Sequence, residues 1–398
     1  MSGLKQQRRV CVVTGSRADY GLLYWLLIEL KSDPDIELQL VVTGMHLSPA
    51  FGLTYRVIEE DGFLINEKLE MLLAGDTLVS ITKSMGIGMI SFAQTFDRLK
   101  PDILVVLGDR CEIFSAAIAA MNSQIPIAHI AGGEASEGMI DEAIRHSITK
   151  MAYIHFPGGE KQRQRVLQLG EDPSRIYCFG KPGLDNIRRL NLLDREAIER
   201  ELNFSFEPNT FIITFHPVTL EDNTSKVQFQ ALLSVLDNFP ESRLIFTFPN
   251  SDAYGNIILT MINEYVASNK SRARMFANLG QFRYLSCVKN AHVIIGNSSS
   301  GLIEAPLLRV PTVNIGDRQR GRVSADSVIN CDASVRGITK AINKALTSEF
   351  REKLKDMVPP HNSDGKISIR IKDTLKTVEI NKELMKKRFY EVVKTTPV

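Results

Sequence analysis

No apolar run in this chain approaches the ~18 residues that a membrane-crossing helix needs, so no spanning segment is expected. Cysteine is sparse and scattered: Cys11, Cys111, Cys178, Cys287 and Cys331, with no CxxC pair among them. An odd number at wide spacing argues against a disulfide framework or a zinc cage and fits a reducing cytosol. Seven dispersed histidines and the absence of HExxH leave no metal signature, so no metal and no cofactor is expected. Neither sign of charge is in excess. A formal charge of +2 gives no global electrostatic case for nucleic acid or an anionic membrane. The polar, basic start runs directly into a strand, so no signal peptide is expected. The GxGxxG fingerprint, the Walker loop and the GxSxG elbow are missing as well. What is present is ordinary globular material, 44% hydrophobic and 24% charged over 398 residues, enough for two or three domains. The expectation is a soluble cytoplasmic protein.

Strands and helices alternate along the chain, which is the pattern of doubly wound α/β units. Arg9-Thr14 is β-rich, followed by a polar turn and the helical Leu22-Leu30; Glu37-Thr43 gives the next strand. Leu72-Arg98 is helical with loop glycines at Gly86 and Gly88, and Ile103-Leu107, Ile125-Ile130, Ala152-Phe156 and Ile176-Phe179 are strands. A turn-rich point at Gly180-Asp185 precedes a charged helix, Leu192-Leu202. A second series then runs through the strands Phe211-Phe215, Leu244-Phe248, His292-Ile295 and Thr312-Ile315, with a helical, charged end from Ile367 to Val393. The spacing therefore predicts an α/β protein of two Rossmann-like domains facing each other across a cleft. The expected boundaries are 1–185, 186–365, and a C-terminal helix and tail, 366–398, that packs back on the first domain.

Ligands of open parallel sheets sit beyond the carboxyl ends of the strands. Asp109 follows one strand, Glu134 follows the next behind two glycines, and Asp141 opens the helix after that, with Arg145 one turn later. Singly, each acid could be a loop or dipole-favoured carboxylate; together they can serve as acid and base. In the second series, Asn297-Ser298-Ser299-Ser300-Gly301 leads into a helical run, Leu302-Leu308. Hydroxyls there can cap the helix, and the same geometry can take a phosphate. Arg318 adds a fixed positive charge, and Glu304 lies one turn into the helix, where a ribose could meet it. His216 follows a strand directly at the cleft mouth.

The motifs GSRADYG, GDR at 108–110, HIAGGE at 129–134, IDEAIRHSITK at 140–150, HPVT at 216–219, FPNSD at 248–252, IGNSSSG at 295–301 and GDRQRGR at 316–322 occur in that order. Together they resemble the UDP-N-acetylglucosamine 2-epimerase family, in its hydrolysing, stand-alone bacterial branch of sialic acid and related nonulosonate biosynthesis. The resemblance covers about residues 9 to 375. It implies a glycosyltransferase-B-like fold, with the sugar-side acids in the first domain and UDP binding in the second. It also implies anti elimination of UDP from a UDP-2-acetamido sugar, then hydration of the glycal to a free manno-configured sugar. Asp109, Glu134, Asp141 and His216 match catalytic positions. Arg17, Asp19, His46, Arg110, Arg145 and His146 match residues that line the cleft, and Asp185, Asn250, Ser298, Ser299, Gly301, Glu304 and Arg318 match the sugar-nucleotide site. Ala131 stands where many relatives have a glutamate, and Leu22 where some have a lysine. The expected substrate is UDP-N-acetylglucosamine, giving N-acetylmannosamine. UDP-N,N'-diacetylbacillosamine of legionaminic acid pathways is the alternative sugar. A non-hydrolysing epimerase, a glycosyl transferase and a catalytically silent sugar-nucleotide sensor are the competing functions. A homodimer or homotetramer is expected.

Overall fold

The computed structural model describes residues 7–75, 77–136, 139–217, 224–249 and 255–392. Two six-stranded, wholly parallel sheets organise it. The first holds β1 (Arg8–Thr14), β2 (Ile36–Thr43), β3 (Glu67–Leu69), β4 (Ile103–Leu107), β5 (Ile127–Ile130) and β6 (Ile154–Phe156), in the order β3-β2-β1-β4-β5-β6. The second holds β7 (Asn209–Thr214), β8 (Ser242–Thr247), β9 (Ala273–Phe276), β10 (Val293–Gly296), β11 (Thr312–Ile315) and β12 (Val328–Cys331), in the order β12-β11-β10-β7-β8-β9. Read from the opposite edge, the second order repeats the first. Both are doubly wound sheets whose switch points lie beside β1 and β7, where a crevice opens.

Burial on both faces explains the apolar runs of the central strands. Val10, Val12 and Val105 face a core closed by Leu23, Leu26 and Leu27, while Cys11, Val13 and Val106 face Phe92, Phe96 and Ile113. Several elements differ from the sequence reading. Gly86 and Gly88 are not in loops: the Leu78–Leu99 helix runs through them. A Cβ on Gly88 would come within 2.7 Å of the Met71 Cε and 3.2 Å of the Ser115 Cβ, so this glycine serves close helix packing. The Ile176 region contributes one bridge to His155 and no strand. The charged helix begins at Arg195 rather than Leu192, because Asp194 caps it through the Ala197 amide at 2.9 Å. The run after the serines is not one helix. A single turn, Ser300–Ile303, gives way to a 3-10 turn, Ala305–Leu308, around Pro306, whose ring removes a backbone donor.

The chain end is not one long helix either. It divides into Ile367–Thr377, a break, and Lys382–Met385, with Val378 leaving the helix in an extended conformation and Asn381 capping the second piece. Ile367, Ile371 and Leu375 enter the first lobe's core beside the Arg17–Ser32 helix. Arg8 donates to the Leu375 and Val378 carbonyls, both at 2.7 Å. Further on, Lys387 pairs with the buried Glu171 at 2.6 Å, and His155 holds the same carboxylate at 3.0 Å. The chain thus crosses between lobes twice. The two crossings are tied together, since Arg188 Nε donates to the Ser363 carbonyl at 3.0 Å and Arg189 Nε to that of Gly365 at 2.6 Å. Among the described residues no helix is long and apolar enough to cross a membrane.

Candidate active site

The carboxyl ends of both sheets converge on one cleft between the lobes. After β4 the chain turns sharply at Gly108, whose φ of 75° favours glycine, and delivers Asp109 and Arg110. His129 on β5 supports that turn from beneath: its Nε2 meets the Gly108 carbonyl at 2.8 Å and its Nδ1 the Thr149 hydroxyl at 3.2 Å. After β5, Ala131 takes a left-handed φ of 65°, a conformation a residue with a Cβ adopts only when its surroundings impose it. Glu134 follows. Asp19, Asp109, Ala131, Glu134, Asp141 and Arg145 line a common cavity of about 220 Å³ with Lys181, Glu304, Arg318 and Arg322.

Arg145 organises the acid side. It is 1% exposed, which is rare for a charge unless paired, and its guanidinium pairs with the Asp109 carboxylate. It also reaches the Ser136 hydroxyl at 2.8 Å, the Glu142 carboxylate at 2.8 Å and the Glu134 carbonyl at 3.0 Å. One fork therefore fixes the end of β4, the loop after β5 and the first turn of the Ile140–Met151 helix. Glu134 itself is 5% exposed, and its carboxylate receives Lys181 Nζ at 2.7 Å and Gln162 Nε2 at 2.9 Å. Burial alone would push this carboxyl up; Lys181 and Arg322 overcome it and hold the group down at about 2. Glu134 is thus an ionised acceptor.

The facing lobe presents the other half. Ser298 and Ser299 line a cavity of about 160 Å³ with Arg17, His216, Tyr284 and Glu304, and Ser299 and Glu304 also line the acid-side cavity, so the two adjoin. Asn297 fastens the serine loop to β7: its Oδ1 accepts the His216 amide at 2.7 Å and its Nδ2 donates to the His216 carbonyl at 2.7 Å. Tyr284 donates to Ser300 Oγ at 2.8 Å, and Arg318 Nη1 to the Asn297 carbonyl at 3.2 Å. With one helical turn behind the serines, hydroxyls and guanidinium groups, rather than a long helix dipole, would attract an anion here. The His216 imidazole is held well below its ordinary value by burial, reinforced by the charges of Arg318, Arg110 and Arg17, so it is neutral. The Glu304 carboxyl is buried with Oε2 unpartnered, and burial raises it.

The lobes are latched across the cleft. Arg17 donates to the Ala277 carbonyl, and Arg322 reaches the Ala135 carbonyl at 3.3 Å and the Ser136 hydroxyl at 3.2 Å. Among the described residues no group of three His, Cys, Asp or Glu side chains could hold a metal.

The family model for UDP-N-acetylglucosamine 2-epimerase matches residues 28–376. The chain belongs to the UDP-N-acetylglucosamine 2-epimerase family. A GDP/UDP-N,N'-diacetylbacillosamine 2-epimerase (hydrolyzing) of Campylobacter jejuni is 40% identical over 346 residues, 87% of this chain and 89% of that protein. The polysialic acid biosynthesis protein P7 of Escherichia coli is 37% identical over 98% of this chain and 99% of its own length. Among solved structures, the Neisseria meningitidis UDP-GlcNAc 2-epimerase bound to UDP-GlcNAc superposes with a TM-score of 0.78 at 18% identity, covering 92% of this chain and 99% of that one. That likeness carries the fold.

In this family member the sequence-derived site divides cleanly. Asp109, Glu134, Asp141, Arg110, Arg145, Asp19, Arg17, His216, Ser298, Ser299, Glu304 and Arg318 all line the two joined cavities. His46 does not: it is fully buried beneath the cleft, with Nε2 at 3.1 Å from the Thr14 hydroxyl and Nδ1 at 2.8 Å from that of Thr54. His146 is turned to Glu142 at 3.1 Å and does not line either cavity. Asp185 is drawn away as well. Its carboxylate accepts from the Ser363 hydroxyl at 2.5 Å and the Ser368 amide at 2.8 Å, anchoring the start of the Ile367–Thr377 helix. Gly301 packs under the site, its carbonyl bonded by the Thr312 hydroxyl at 2.9 Å. Asn250 lies outside the described residues. Sequence reading passed over Lys181 and Arg322, although Arg322 closes the quoted GDRQRGR motif.

Replacing Lys181 by methionine leaves Glu134 buried without its nearest cation, which destabilises the fold by about 3–5 kcal/mol at neutral pH. The sign follows from the depressed carboxyl: its stabilisation is full above the unfolded value of about 4.3 and fades as pH falls toward about 2. Thermal unfolding between pH 7 and pH 3 therefore finds the gap between wild type and Lys181→Met narrowing as pH falls. A constant gap would mean that charge pairing is not what Lys181 supplies.

Proposed function

We propose that this chain is a hydrolysing 2-epimerase that converts a UDP-2-acetamido sugar of gluco configuration into UDP and the free manno-configured sugar. One observation carries the reading: a cluster of carboxylates and a hydroxyl- and arginine-lined pocket occupy adjoining cavities that share Ser299 and Glu304. Departure of a diphosphate from C1 needs developing negative charge to be met, which Ser298, Ser299, Arg17 and Arg318 can do. Loss of the C2 proton needs a base held ionised. Glu134, kept charged by Lys181, meets that need, and the Asp109 carboxylate paired to Arg145 stands beside it. Buried Glu304, with an unfilled acceptor oxygen, suits the hydroxyls of a ribose. A silent sensor would require the pocket but not the acids.

The sugar read first is UDP-N-acetylglucosamine, giving N-acetylmannosamine. A second reading, UDP-N,N'-diacetylbacillosamine, is favoured by the name of the Campylobacter jejuni relative and by apolar Leu22, Met139 and Ile303 in the acid-side wall, which suit a 6-deoxy carbon. We place the reaction in the cytoplasm, in keeping with five free cysteines, and in a homo-oligomer, in keeping with exposed Leu78, Val79 and Ile90 on one helix. Incubation with either UDP-sugar in deuterium oxide, followed by NMR, is expected to yield free UDP and a manno sugar deuterated at C2. A product still attached to UDP would sink the hydrolysing reading, and the preferred sugar is the one with the larger kcat/KM.

A further inference from the structure

Asp19 is a buried cleft carboxyl at the start of the first lobe's first helix, with one oxygen left unsatisfied. It stands in the first turn of the Arg17–Ser32 helix, whose cap is Ser16, at 8% exposure. A capping residue is the bland account, and part of it holds. The Asp19 amide donates to Ser16 Oγ at 3.3 Å, and Ser16 and Gly15 hydrogen-bond its carboxylate. That account uses one carboxyl oxygen. The other, Oδ2, is buried with no partner, and the residue lines the acid-side cavity. Arg17 and Ala18, just before it, line the serine-side cavity, so the helix start spans the seam where the two cavities join. A UDP-sugar laid with its diphosphate on the serines and its ring among the acids brings its C1–O bond to that seam.

We propose that Asp19 is the general acid that protonates the departing diphosphate oxygen and then, as a carboxylate, takes a proton from the attacking water. The inference rests on the hydrolysing reading above. In the first step a carboxylate of the facing cluster takes the C2 proton, the C1–O bond breaks with its electron pair passing to the phosphate oxygen, and Asp19 gives that oxygen its proton. In the second, water bonds to C1 while Asp19 takes a proton from it, and a second acid of the cluster gives a proton to C2 from the opposite ring face, which inverts that centre. Asp19 ends as it began, the two cluster acids are restored by passing one proton between them through solvent, and the sum is UDP-sugar plus water giving UDP plus free sugar.

The surroundings support the assignment. Burial is the largest influence on Asp19 and lifts it to about 6; Glu112 pushes the same way, while Arg110 and the Ser16 and Gly15 hydrogen bonds oppose it. Across the cavity stand Lys181, Arg318 and Arg322 as cations and Asp109, Glu134, Asp141 and Glu304 as acids. An arriving diphosphate adds an anion beside Asp19 and raises it further. Glu134 is driven the opposite way, and paired groups pushed apart in this manner divide acid from base. His216, neutral among three arginines, has no proton of this kind to give.

Asp19→Asn keeps the capping acceptor and removes only the acid. With wild type active on at least one UDP-sugar, Asp19→Asn is expected to lose about a hundredfold or more in kcat, within the usual range for a general acid. Its KM, UDP affinity and thermal unfolding stay at wild-type values. The wild-type rate falls on the alkaline side, where Asp19 ionises; that limb is absent from Asp19→Asn and displaced in Asp19→Glu. An unimpaired kcat in Asp19→Asn, or an alkaline limb that persists in it, overturns the inference while leaving the hydrolysing reading intact. If Asp19→Asn does not fold, Asp19→Glu decides, and an undisplaced limb overturns the proposal. Wild type inert on both sugars sinks the reading and the inference with it.

Discussion

Asp109→Asn lowers turnover by about two to four orders of magnitude, the loss associated with removing a positioned proton-transfer group. Two consequences of the substitution act together. The amide cannot accept a proton from C2 or from water, and it cannot neutralise Arg145, whose guanidinium is paired to this carboxylate at 1% exposure. UDP binding survives, because Ser298, Ser299 and Arg17 line the serine-side cavity, whose wall does not include Asp109. Calorimetric titration with UDP beside a steady-state assay separates the two effects, with the affinity retained and kcat lost. Near-normal turnover would remove Asp109 from the chemistry.

Arg145→Met has the larger structural effect. Four acceptors converge on this one guanidinium, from Asp109, Ser136, Glu142 and the Glu134 carbonyl. Methionine fills the volume but leaves the Asp109 and Glu142 carboxylates without their buried counterion, at a cost of about 3–5 kcal/mol. Turnover is expected to vanish along with that stability, since the loop after β5 and the helix carrying Asp141 lose their common anchor. Arg145→Lys tests the geometry. A lysine keeps the charge but cannot spread a planar fork over four acceptors, so it recovers part of the melting temperature and little of the activity. Full recovery of activity in Arg145→Lys would show that charge alone matters at this position.

The sequence revealed most of the scaffold because central parallel strands, buried on both faces, appear as apolar runs. The edge strands β3, β9 and β12, with sequences EKL, ARMF and VINC, have no such run and were invisible. Gly86 and Gly88 misled for a physical reason: a glycine that admits a neighbouring helix looks the same in sequence as one that ends a helix. Among the site residues, Asp109, Glu134 and Asp141 were legible because each follows a strand or opens a helix. Lys181 and Arg322 were not, since they reach Glu134 and its loop from distant parts of the chain, one of them from the other lobe. His46 and Asp185 show the reverse. Their residue types suit a site, but Thr14, Thr54, Ser363 and Ser368 had already engaged them, and only three-dimensional packing discloses such partners.

The return of Ile367, Ile371 and Leu375 to the first lobe has a bearing on how the chain is made. A ribosome delivers β1 through β6 early, yet the hydrophobic face they share with the Arg17–Ser32 helix stays open until Ile367, Ile371 and Leu375 emerge. The second sheet, complete in itself between the two crossings, can therefore finish folding before the lobe that was synthesised first. Nascent chains halted short of residue 367 would carry a native second lobe and an unsealed first one, the part that chaperones would have to shield.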